Sequence, residues 1–92
     1  MGKVNCFQLA GIELWFNSSD HEPPHFHARK PDRWEIRVFF GACTRTILDF
    51  NLKFPSTGTG PSGRERRELL DLVLQHREAL YAEWEAKVRI RS

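Results

Sequence analysis

Apolar and polar residues alternate with period two through much of the first half of the chain, as strands with one buried face do. In residues 12–16, Ile12, Leu14 and Phe16 share one side while Glu13 and Trp15 take the other. In residues 33–40, Trp34, Ile36, Val38 and Phe40 align against Arg33, Glu35 and Arg37. In residues 44–54, Thr46, Leu48, Phe50, Leu52 and Phe54 align against Arg45, Asp49 and Lys53. A weaker strand is expected over residues 4–9, with Ala10-Gly11 as its turn. Lys30-Pro31-Asp32 and Gly41-Ala42 have turn chemistry, so residues 26–40 and 34–54 read as successive hairpins.

The pattern changes after Phe54. Residues 55–63 form a Gly/Ser/Thr/Pro linker that ends in Ser62-Gly63-Arg64-Glu65, the spacing of a capping box. A helix is expected from Gly63 to about Lys87, with Glu65 and Glu68 in its first turn and Lys87 and Arg89 at its end, as the helix dipole favours. Leu69, Val73, Leu80 and Trp84 make its apolar stripe, widened by Leu70, Leu72 and Tyr81. The expected fold is α+β: one domain over residues 1–92, an antiparallel meander of four to five strands with one face packed on a single long C-terminal helix.

Composition narrows the function. The chain has 92 residues, 40% apolar and 28% charged, which are the proportions of a globular protein. No apolar run approaches the roughly 18 residues of a membrane span, and no secretory leader is visible, so a cytoplasmic location is expected. Cys6 stands where a myristoylation motif requires Ser or Thr. Cys6 and Cys43 lie far apart without a CxxC pattern and read as reduced thiols. The net charge of +2 does not by itself indicate a nucleic-acid binder. Gly58-Thr59-Gly60-Pro61-Ser62-Gly63 matches GxGxxG, but no strand follows the helix, so no nucleotide cofactor is expected.

The chemistry concentrates in Asp20-His21-Glu22-Pro23-Pro24-His25-Phe26-His27-Ala28, which holds three of the four histidines. On a strand, His25 and His27 point to the same side, about 7 Å apart at Cα. His21, His25 and His27 with Asp20 or Glu22 are a donor set for Zn²⁺ or another divalent transition metal. A metal-free reading gives His25 and His27 acid and base roles in RNA cleavage, with Arg29, Lys30 and Arg33 on phosphate. A third reading is a non-catalytic interaction module. Alternation places Phe26 and Ala28 inward and the two histidines outward. His76 falls on the buried stripe of the helix, where a hydrogen-bonded core role is expected.

The nine-residue run resembles, at every defined position, the Asp-His-x-Pro-Pro-His-Phe-His-Ala hallmark of a small bacterial family, domain of unknown function 4160. Phe7 with Gly11-Ile12 resembles the family's opening strand and turn, and His76-Arg77-Glu78 with Leu80 and Trp84 resembles its helical signature. The resemblance marks His21, His25, His27, His76, Glu78 and Trp84 as characteristic positions. It implies a cytosolic protein from a toxin–antitoxin-like gene pair, with a small cognate partner protein encoded nearby and RNA or translation as its target. It brings no known reaction and leaves open whether the chain is an enzyme. The glycine-rich linker is longer here than the family pattern, and the chain stops at Ser92, where relatives often carry a further tail.

Overall fold

Five strands form one antiparallel sheet in chain order: β1 (Gly2–Lys3), β2 (Glu13–Phe16), β3 (Phe26–Lys30), β4 (Trp34–Val38) and β5 (Phe50–Phe54). A helix, α1 (Gly63–Trp84), follows and passes into a π-helical turn at Glu85–Arg89. The structure is a computed structural model that describes residues 2–54 and 60–89. The expected meander and C-terminal helix are both present. The expected linker falls in part on residues 55–59, which lie outside the described residues. Among the described residues, no helix is long and apolar enough to cross a membrane.

The alternating positions make the core. Leu14 and Phe16 of β2, Phe26 and Ala28 of β3, and Trp34, Ile36 and Val38 of β4 are buried in one cluster with Leu69, Val73, Leu80 and Trp84 of α1. Each large apolar side chain in such a layer stabilises the fold by about 1.5–3 kcal/mol. Tyr81, expected to widen the helical stripe, is instead exposed. The helix leaves helical geometry at His76 (φ −116°, ψ 18°). There the half-buried ring packs on Phe7, with centroids 5.4 Å apart.

Two expected strands differ from the pattern reading, because other hydrogen bonds or a register shift take the place of a continuous ladder. The strand expected over residues 4–9 is absent. Gly2 and Lys3 pair with β2 and the Val4 N–H donates to the Leu14 carbonyl (3.1 Å), after which the Asn5 and Cys6 N–H groups donate to the two carboxylate oxygens of Glu83 (2.8 Å each). The strand expected over residues 44–54 begins only at Phe50. Thr44 Oγ1 accepts from the N–H groups of Thr46 and Ile47 (3.3 and 3.1 Å), which turns the chain instead of extending it. A register shift at Glu35/Ile36 then sets Phe54 opposite Glu35, so Phe54 is exposed and does not join Phe50 and Leu52 on the helix side.

The start of α1 is anchored to the β3–β4 hairpin. Ser62 Oγ accepts from the Glu65 N–H (3.1 Å), and Glu65 Oε1 accepts from the Ser62 N–H (2.9 Å), completing the capping box. The same carboxylate accepts from the Trp34 indole N–H (3.1 Å) and from Lys30 Nζ (2.5 Å). The hairpin turn that brings Lys30 and Trp34 together has Asp32 at φ 65°, a left-handed conformation that Asp tolerates better than most residues.

The Lys30 ammonium foremost, with the Ser62 and Trp34 N–H groups, outweighs burial and holds Glu65 at a pKa of about 2. A carboxylate depressed in the folded state stabilises the fold above its ordinary pKa near 4.5. That stability fades as pH falls from 4.5 toward 2. Chemical denaturation of Glu65→Ala at pH 7 is expected to show a loss of about 2 kcal/mol. The wild type's decline between pH 4.5 and 2 should be shallower in the variant. Equal stability at pH 7 would show that these contacts do not hold the helix start.

Candidate metal centre

β3 lies between β2 and β4 and is paired on both sides, so its side-chain directions are fixed. Phe26 and Ala28 face the helix layer, and His27 faces the other side, opposite Trp15 of β2 and Arg37 of β4. The expected direction is correct, but the expected exposure is not: His27 is 1% exposed and His25 6%. Residues 17–25 account for this by folding back over the sheet. Asn17 and Asp20 close a turn on themselves, Asn17 N–H to Asp20 Oδ2 (3.2 Å) and Asp20 N–H to the Asn17 carbonyl (3.1 Å). The Glu22–Pro23 peptide that follows is cis.

This turn places one carboxylate oxygen at the centre of the site. Asp20 Oδ2 lies 2.9 Å from His27 Nε2 and 3.4 Å from His25 Nε2. One donor atom from each of Asp20, His25 and His27 lies within 4.8 Å of the other two. Donors bound about 2.0–2.1 Å from one tetrahedral zinc ion lie about 3.3 Å from one another; the Asp20 oxygen stands near that spacing from each histidine nitrogen, and the three atoms together span up to 4.8 Å.

The surroundings orient both rings. His25 Nδ1 is 2.9 Å from the Pro23 carbonyl, which can only accept, so Nδ1 carries the hydrogen. A neutral His25 therefore presents a bare Nε2 lone pair toward Asp20. Phe39 and Trp84 pack on the His25 ring at centroid distances of 5.2 and 5.5 Å. Trp15 stacks on His27 (5.2 Å, 14°), and the Asn17 amide lies 3.1 Å from His27 Nε2. His27 Nδ1 is buried without a partner. Burial lowers the His27 pKa below its ordinary 6.5, against the opposing pull of the Asp20 carboxylate.

Other residues singled out in the sequence lie elsewhere. His21 and Glu22 are exposed and outside the cluster. Arg29 pairs with Glu13 (2.6 Å) and Lys30 with Glu65 (2.5 Å), while Arg33 is exposed. His76 is not in the cluster, and Glu78 is exposed. Trp84 alone of the helical positions touches the site, through His25. Sequence reasoning missed Asn17, Trp15 and the Pro23 carbonyl. Two signals were available: Asn17 and Asp20 stand at Asx-turn spacing, and alternation sets Trp15 on the outer side of its strand.

The sequence model of the family described as Domain of unknown function (DUF4160) matches residues 11–85, and the chain belongs to that family. The match covers the whole cluster and α1 through Trp84. No curated protein and no solved structure matches the chain.

With no metal present, the lowered pKa of His27 gives a signed expectation. Near pH 6.5 the ring protonates in the unfolded chain but resists protonation in the fold, so the unfolded state binds more protons. Stability should therefore fall as pH drops through 6.5 and level off below the folded pKa. Urea midpoints in chelator between pH 7.5 and 5 measure this, and His27→Gln should flatten the decline. An unchanged decline in the variant would assign the effect to other groups.

Proposed function

We propose that the chain is a metal-binding module in which Asp20, His25 and His27 hold a divalent transition metal ion, with zinc the ion to test first. The observation that carries this reading is the contact between His25 Nε2 and Asp20 Oδ2 at 3.4 Å. The Pro23 carbonyl keeps the hydrogen of a neutral His25 on Nδ1, so a lone pair faces a carboxylate oxygen. Two acceptors pointed at one another are relieved by a cation between them. A metal ion serves both at once and takes His27 Nε2 as its third donor.

Two of the three residues have the outer bonds that metal ligands ordinarily have. Metal-binding histidines commonly donate their second ring N–H to a carbonyl or carboxylate, which fixes tautomer and ring angle. His25 does so to Pro23, and the Asp20 carboxylate is itself held by the Asn17 N–H. Two imidazoles and a carboxylate suit zinc and its neighbours in the first transition row. Three protein donors leave a coordination position open, as in catalytic rather than structural zinc sites. A zinc ion there would supply a bound water acidic enough to ionise near neutral pH. The metal-free acid–base reading uses the same two histidines with a proton between His25 and Asp20 in place of the ion.

Titration of the isotope-labelled chain with Zn²⁺ near pH 7 separates the two. Saturable shifts at the His25 and His27 imidazoles are expected, with His25 held as the Nδ1–H tautomer. His25→Ala and Asp20→Ala should each weaken binding more than about 100-fold, beyond what loss of an outer partner costs. His21→Ala should leave it unchanged. Absence of saturable shifts would remove the metal reading.

A further inference from the structure

Arg37 stands directly across from His27 in the β3–β4 pairing and directly across from Asn51 in the β4–β5 pairing. Trp15, His27, Arg37 and Asn51 thus form one row over four strands, on the face that α1 does not cover. Two other cations on this face are already neutralised, Arg29 by Glu13 at 2.6 Å and Lys53 by Glu35 at 3.4 Å. Arg37 differs. It is half-buried, and among the described residues no carboxylate comes within ion-pair distance of it and no acceptor takes its N–H groups. A planar fork of donors is thus left free on the residue paired with His27 of the Asp20–His25–His27 cluster, with the exposed Asn51 paired on its other side.

We propose that this row is the seat of a phosphoryl oxyanion. One oxygen fills the open position on the metal, and the other two take the Arg37 fork, with the Asn51 amide sharing one of them. The inference rests on the metal reading above. The number of oxygens selects the class. A guanidinium binds two oxygens side by side, and the metal requires another. A terminal phosphate has three free oxygens and satisfies both. A carboxylate, or the phosphate of a diester, has only two, so one oxygen must serve the metal and the fork together, which weakens both contacts. The ligand is therefore inorganic phosphate or the terminal phosphate of a monoester.

The test uses the full chain loaded with Zn²⁺, titrated with inorganic phosphate, phenyl phosphate and diphenyl phosphate and followed by ³¹P resonance and calorimetry. Saturable binding of the first two is expected, with the diester at least about tenfold weaker. Tighter binding of phenyl phosphate identifies a monoester as the ligand, and tighter binding of inorganic phosphate identifies the free anion. Arg37→Met should weaken phosphate binding at least about tenfold while Zn²⁺ binds no more weakly than in wild type. Arg37→Lys keeps the charge without the fork and should fall between, which also covers a Met variant that fails to fold. If Zn²⁺ binds and phosphate does not, or if phosphate binds Arg37→Met as well as wild type, this inference is overturned and the metal reading stands. If Zn²⁺ itself is not taken up, both fall.

Discussion

A one-residue slip of β3 against its neighbours would turn Phe26 and Ala28 outward and drive His27 and Arg29 into the apolar layer beneath α1. Such a slip would forfeit the burial of Phe26 and set a charged guanidinium among apolar side chains without a partner. The pairings Leu14↔Ala28 and Ala28↔Ile36 are held for this reason, from both sides at once. With the register held, His27 has one place to go, between Trp15 and Arg37 on the uncovered face. A buried imidazole there requires a polar partner, and the loop carrying Asn17 and Asp20 provides it.

Three carboxylates each gather several partners, and the nature of those partners sets them apart. Glu65 ties the helix start to the β3–β4 hairpin through a backbone N–H, an indole and an ammonium group. Glu83 ties the helix end to the N-terminal segment through two backbone N–H groups and Lys87. These donors keep their hydrogens across the ordinary pH range, so both junctions are permanent. Asp20 instead faces two imidazole nitrogens, groups that can present either a hydrogen or a lone pair. On the proposed metal reading, the same construction that elsewhere fastens the fold becomes, at Asp20, a place for a cation.

The parts of this fold that were legible in the sequence are those governed by periodicity alone. Trp34, Ile36 and Val38 alternate without interruption, and Ser62 with Glu65 marks the helix start to the residue. What was not legible depends on partners far away in sequence. Nothing near Asn5 or Cys6 announces that Glu83 will take their N–H groups, more than seventy positions on. Thr44 looked like a β-branched strand residue, and its hydroxyl made a turn instead. The histidine cluster falls between these cases. The run from Asp20 to His27 contains the three clustered residues, and alternation gave the face of His27. The burial of His27 came from a loop whose path no period predicts, and that path left His21 outside.

Trp84 shows how the two ends of the chain combine in one site. It lies at the end of α1, fully buried, with Phe16 on one side at 6.4 Å and His25 on another at 5.5 Å. The Pro23 carbonyl fixes which nitrogen of His25 carries the hydrogen, and Trp84 with Phe39 limits the angle at which the ring can stand. A side chain restrained in both respects loses little further freedom when it binds an ion, which raises affinity without any added contact. On the proposed metal reading, the helix thus positions a ligand without contributing one. Replacing the Trp84 ring with a smaller apolar side chain would loosen His25 as well as the core, so a loss of metal affinity would report positioning as much as stability.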